Sequence, residues 1–145
     1  FIDDKQRLAR DLLEVRFMIE PQIARMAAEH ATNDQVVCIK ELCDESERLA
    51  EAGEDYSAAD TAFHNAIAES SGNLVVPRLM GVLKASVPLF IDVTGKKLVE
   101  ETIRTHRGVA DAIAARNPTA AHDAMYLHLV YNRNMIAEGT QEQSE

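Results

Sequence analysis

Apolar residues recur along this chain at three- and four-residue steps almost from end to end, with polar positions filling the gaps. From Asp3 to about Glu29 the series Leu8, Leu12, Val15, Ile19, Ile23, Met26 and Ala27 marks an amphipathic helix. Pro21 interrupts the series and should either kink the helix or start a second one after Glu20, because proline removes a backbone donor and crowds the preceding turn. Thr32-Asn33-Asp34 is a capping cluster. The helix after it sets Val36, Val37, Ile39, Leu42, Ser46 and Leu49 on its inner side and stops at Glu51-Ala52-Gly53. A third helix is expected from near Asp55, with Tyr56, Ala59, Phe63 and Ile67 turned inward, until Ser70-Ser71-Gly72-Asn73 breaks the chain.

Leu74 to Val93 reads as an apolar helix with a start at Pro77 and a bend at Pro88, either buried or facing a second copy of the chain. Thr94-Gly95-Lys96-Lys97 closes it, and a fifth helix is expected from about Leu98 to Ala115. Arg116-Asn117-Pro118 makes a tight turn into a last helix, which starts at Pro118 or Thr119 and ends at Gly139, leaving 140–145 as a loose tail. No segment alternates with a strand's period of two, and there is no internal repeat or glycine-rich phosphate loop. The pattern predicts an all-α protein, an antiparallel helical bundle of about six or seven helices whose sites are built by side chains projecting inward from facing helices.

Composition narrows the function. A chain of 145 residues with 46% hydrophobic content has the size of one domain with its own core, here taken as residues 1–139. There is no run of eighteen apolar residues and no secretory leader pattern, so a soluble, cytoplasmic protein without a membrane partner is expected. Lys plus Arg number 15 against 24 for Asp plus Glu, and a net charge of -9 repels a phosphate backbone, so this segment should not bind nucleic acid by itself. The opening Phe1-Ile2-Asp3-Asp4 lacks an initiator Met and reads like the interior of a longer sequence; an N-terminal portion is expected before it. Cys38 and Cys43 lie about 140° apart on a helix, which suits neither a redox pair nor a zinc knuckle, and they read as two small helix residues.

Candidate chemistry centres on Asp60 and His64. Four residues turn a helix by about 40° beyond a full turn, so both side chains project from one stripe. His106 lies eleven residues before Asn117 and His128 eleven after it, which brings the two imidazoles level in an antiparallel hairpin. If the third helix packs alongside, one carboxylate and three imidazoles meet, a set suited to zinc, nickel, manganese or iron(II). The opposing reading is three core histidines, each satisfied by a hydrogen bond. A divalent ion on one Asp and three neutral His keeps a net charge near +1 and attracts a small anion, which fits binding and also fits hydrolysis. Hydrolysis needs a general acid or base beside an open position, and no Glu or Asp has a spacing that demands that role. Arg16 and Glu20, one turn apart, read as an exposed pair worth about 0.3 kcal/mol. His122 should point away from the site, about 240° round from His128. The dipeptide His122-Asp123 lacks the further ligands a metal-dependent phosphohydrolase requires, and His30 complements a helix dipole.

Several stretches together resemble a known family. Leu13-Glu14-Val15-Arg16, Ile19-Glu20-Pro21, Ala27-Ala28-Glu29 and Ala31-Thr32 are similar to the opening helix of the FCD ligand-binding domain in the FadR-type branch of GntR transcription regulators. Asp60 to His64 with Asn73 resembles its central signature. His106, Ala112-Ile113, Asn117-Pro118, Ala121, Ala124-Met125 and His128-Leu129 resemble its closing hairpin. The resemblance implies a helical bundle in which Asp60, His64, His106 and His128 hold a divalent metal, zinc, nickel or manganese, and in which Arg16 faces the effector pocket. It implies a small carboxylate effector, a homodimer, and a winged helix-turn-helix domain, absent from this chain, through which DNA is bound. Such a domain senses and is no enzyme; the alternatives are a metal-dependent hydrolase and a dimerisation module with a structural metal.

Overall fold

The computed structural model describes residues 4–84, 88–89 and 99–144. Six helices follow in chain order: α1 (Asp4–His30), α2 (Asn33–Glu51), α3 (Ser57–Glu69), α4 (Val76–Leu83), α5 (Val99–Ala114) and α6 (Pro118–Ser144). No strand occurs among the described residues, and the fold is the all-α bundle that the periodicity predicts. α1 packs along α6, α5 folds back on α6, and α2 lies against α3 and α5.

Local chemistry sets the helix ends. Thr32 caps α2 through a reciprocal box: its hydroxyl accepts from the Gln35 N–H (3.1 Å), while the Gln35 side chain accepts from the Thr32 N–H (2.9 Å). Gly53, at φ +72°, takes the left-handed conformation just beyond the end of α2. Asp55 accepts from the Ser57 N–H (2.9 Å) at the entry to α3, and Asn73 Oδ1 accepts from the Val75 and Val76 N–H groups (2.8 and 3.2 Å) ahead of α4, with Pro77 in its first turn. Between α5 and α6, Arg116 adopts φ +56°, and its guanidinium donates to the Ala31 carbonyl and to Asn33 Oδ1, tying this turn to the corner between α1 and α2.

The core is formed where the apolar stripes meet. Ile39, Phe63, Ile67, Ile113 and Met125 are fully buried in its main part, and a smaller cluster joins Ala9 and Leu13 of α1 to Leu129 of α6. Several expectations need correction. α1 runs unbroken through Pro21, so of the two expected alternatives no second helix starts there; Pro21 is buried, and the helix continues despite the missing donor. Arg16 and Glu20 are not an exposed pair: each is 2% exposed, because α1 is covered on that face. Val37 faces solvent at 53% exposure, and Cys43 takes an inner position on α2 instead. α4 is eight residues long, and Leu74, Val75, Leu79 and Val82 are exposed rather than buried within this chain. The rest of that expected apolar helix, with the bend at Pro88 and the close at 94–97, lies outside the described residues apart from Pro88 and Leu89. α6 continues through Gly139 to Ser144, since a single glycine weakens a helix without having to end it.

Two outcomes follow from this packing. Ile39→Ala, which removes a fully buried side chain, should lower the unfolding free energy by about 2–5 kcal/mol in urea titration, whereas Val37→Ala two positions earlier should change it by less than about 0.5 kcal/mol. Burial pushes the Cys43 thiol up to about 11, while Cys38 is exposed. A thiol reagent at pH 8 should therefore modify Cys38 rapidly and Cys43 only when the protein unfolds.

Candidate metal centre

The side chains singled out by spacing come together in the middle of the bundle. Asp60 and His64 project from the buried stripe of α3, and the α5–α6 hairpin sets the His106 and His128 rings 4.5 Å apart between centroids. His64 completes the triangle, with its ring 5.4 Å from that of His106 and 5.5 Å from that of His128. One ring nitrogen from each histidine lies within 4.8 Å of the others, a span a single ion can bridge. Asp60 Oδ1 lies 3.1 Å from His106 Nε2 and 3.3 Å from His64 Nε2. Phe63 lines the apolar side, its ring 4.8 Å from His106 and 5.7 Å from His64.

The hydrogen-bond inventory tests whether these residues suit a metal or are three satisfied core histidines. Asp60 Oδ1, His64 Nε2 and His106 Nε2 are buried and have no hydrogen-bond partner: the distances are short, but the angles are not those of hydrogen bonds. Buried polar atoms left in this way are costly, and here they converge. The outer nitrogens, by contrast, are engaged. His64 Nδ1 lies 2.7 Å from Glu20 Oε1, and an ionised carboxylate only accepts, so Nδ1 carries the hydrogen and Nε2 remains for a cation or a proton. The Thr105 hydroxyl has one proton and a close acceptor in the Glu101 carbonyl at 2.8 Å. With that proton donated, Thr105 Oγ1, 2.9 Å from His128 Nδ1, accepts from the ring and leaves His128 Nε2 with its lone pair. A carboxylate and imidazoles oriented in this way fit a divalent metal.

Electrostatics agree with the hydrogen bonding. Burial would raise Glu20 and Asp60, but Arg16 and His64 beside Glu20, and His106 and His64 beside Asp60, hold both carboxyls far below the usual range. Burial would lower His64, yet Glu20 and Asp60 outweigh it and raise the imidazole to about 9. His128 goes the other way: burial, reinforced by the neighbouring His106, His64 and Arg16, depresses it well below its ordinary value. Two carboxylates thus invite a positive charge at His64 Nε2, which a proton or a metal ion can supply.

Arg16 closes one side of the site. Its guanidinium donates to Glu20, and Arg16, Glu20 and His64 form the inner wall of a small cavity beside the metal position. Glu20 and Thr105 were not among the candidates drawn from spacing. Glu20 sits one turn from Arg16, and Thr105 precedes His106, so each was visible as a neighbour, but neither carries a pattern that announces a partner in another helix. His122 bonds its own neighbour Asp123 (2.9 Å) away from the site, and His30 is exposed.

Comparison with known proteins identifies the fold's relatives. The profile of the FCD domain matches residues 11–131. The chain belongs to the FCD domain family. This FCD domain is 33% identical over 92% of its length to the putative L-lactate dehydrogenase operon regulatory protein of Escherichia coli K12, and spans 54% of that protein. Against the transcriptional regulator LutR of Bacillus subtilis it is 30% identical, with 92% of this chain and 64% of the relative covered. A solved structure, the GntR protein of Streptococcus agalactiae, superposes with a TM-score of 0.80 at 33% identity, covering 92% of this chain and 62% of the other. The first two of these relatives are named as regulators, and this chain spans less than two thirds of each. None of these three proteins is named as a hydrolase.

Because Thr105 Oγ1 accepts from His128, Thr105→Val should leave a buried ring N–H without a partner. In protein kept free of metal by chelator, the variant should lose about 1–3 kcal/mol of stability in denaturant titration, while Thr102→Val one turn earlier serves as the control.

Proposed function

We propose that this FCD domain is the effector-sensing part of a bacterial GntR-type transcription regulator of the FadR-type branch, binding a small organic acid at a divalent metal, zinc, nickel or manganese. The observation that carries this reading is the convergence of three unpartnered buried atoms, Asp60 Oδ1, His64 Nε2 and His106 Nε2, with His128. Asp60, His64, His106 and His128 would hold the ion. Such an ion supplies positive charge and open coordination positions that a carboxylate can take. Glu20 orients His64 and Thr105 orients His128, which turns a ring nitrogen of each toward the centre. Arg16, buried against the cavity, helps to neutralise the acid.

Transmission follows from where these residues sit. Arg16 and Glu20 belong to α1, the helix nearest the start of the chain, and the chain spans 54–64% of the two regulators compared above. The remainder of the protein would hold a winged helix-turn-helix domain that contacts DNA, and the FCD domains would pair as a homodimer. A ligand that binds one dimer arrangement more tightly than another shifts the balance between them and so repositions the DNA-binding domains. One relative is named for the L-lactate dehydrogenase operon, and a small organic acid as effector is consistent with that name.

Among the described residues a hydrolytic role finds no base. The nearest carboxylate outside the ligand set, Glu20, is already engaged by Arg16 and His64. Calorimetric titration of the Mn²⁺- or Zn²⁺-loaded protein with a panel of organic acids should give micromolar to millimolar binding that chelation and His64→Ala both abolish. Binding indifferent to chelator and to His64→Ala would overturn the metal-anchored reading.

A further inference from the structure

The cavity against Arg16 has a second wall that the metal-anchored reading does not use. Thr61 and Asn65 face it from α3, and Met80, Leu83 and Lys84 face it from α4. Thr61 and Asn65 are one helical turn apart and each lies one residue beyond a proposed ligand, so the stripe they form runs beside the Asp60/His64 stripe. Both are half-buried, and Lys84 is exposed at the cavity mouth.

Charge separates the two ends of this space. Arg16 and Glu20 cancel one another, and a divalent ion set against Asp60 leaves about one positive charge at the inner end. A monocarboxylate would neutralise that end. Lys84 then adds a second positive charge that no carboxylate among the described residues balances, beside the hydroxyl of Thr61 and the amide of Asn65. We propose that the effector is a dianion, a short dicarboxylic acid, whose inner carboxylate meets the metal and Arg16 and whose outer carboxylate is read by Lys84, Thr61 and Asn65. The proposal rests on the metal-anchored reading for the inner end only.

Size sets the class further. The cavity as it stands is about 10 Å³, room for one water, so a diacid enters only if a wall moves. α4 is that wall. Met80 and Leu83 on its inner side belong to the main core, while Leu79 and Val82 on its outer side are exposed, so admitting a diacid means shifting these two buried side chains. A shift limited to two side chains would favour short acids over long or branched ones.

The test compares malonate, succinate and L-malate with propionate and L-lactate, titrated into the Mn²⁺-loaded protein and into Lys84→Gln and Lys84→Glu, with and without chelator. Lys84 is exposed, so neither variant threatens the fold. The diacids should bind the wild type more tightly than the monoacids; Lys84→Gln should weaken the diacids roughly fivefold and Lys84→Glu further, with monoacids changed less than about twofold. The same diacid affinity should fall faster with added salt than that of the monoacids. Equal binding of both classes by the wild type, or a diacid preference that survives Lys84→Gln, overturns the proposal even where chelation abolishes binding and the metal anchor stands. A diacid preference that is lost in Lys84→Gln but indifferent to chelator keeps the outer subsite and overturns the metal anchor instead.

Discussion

Two buried carboxylates, Asp60 and Glu20, determine what the rest of this bundle must contain. A carboxylate removed from water is expensive unless positive charge and hydrogen bonds replace its hydration. Glu20 obtains both from Arg16 and from the His64 ring. Asp60 is left with two imidazole nitrogens at ion-pair distance and no hydrogen bond on Oδ1. The raised affinity of His64 for a proton and the fit of the donor set to a divalent ion are two expressions of the same electrostatic demand.

Four helices meet that demand, and their packing shows why the bundle is built as it is. α1 brings Arg16 and Glu20, α3 brings Asp60 and His64, α5 brings His106 with Thr105, and α6 brings His128. The polar centre sits directly on the main core through Phe63, whose ring touches two of the imidazoles and whose side chain is fully buried. The tight α5–α6 turn, held to the α1–α2 corner by Arg116, sets the level of the two hairpin histidines. Site geometry and helix packing are therefore one problem, and a change of register in any of these helices would separate the donors.

Two helices divide the walls of the cavity between them. α1 lines its inner side with Arg16 and Glu20, and α4 lines its outer side with Met80 and Leu83. Those two side chains are buried members of the main core, whereas Leu79 and Val82 on the far side of α4 are exposed. The cavity and the core therefore share a boundary, and a change at one is felt by the packing of the other.

The all-α class, most helix starts, the capping cluster at Thr32-Asn33-Asp34 and the grouping of Asp60, His64, His106 and His128 could be read from the sequence alone. These were legible because helical periodicity is local, and because equal spacing about Asn117 fixes the level of two side chains once the chain turns back. The resemblance to FCD domains was carried by the same residues. Burial, by contrast, emerged only from the packing of the helices. Arg16 and Glu20 look like an exposed surface pair until α1 is covered, and Pro21 looks like a break although α1 continues through it. Thr105 acquires its role only when His128 arrives from α6, and Leu79 and Val82 of α4 look like core until the bundle leaves them outside. Each depends on which helix lies against which, and a one-dimensional pattern carries no information about the neighbour that removes a residue from water.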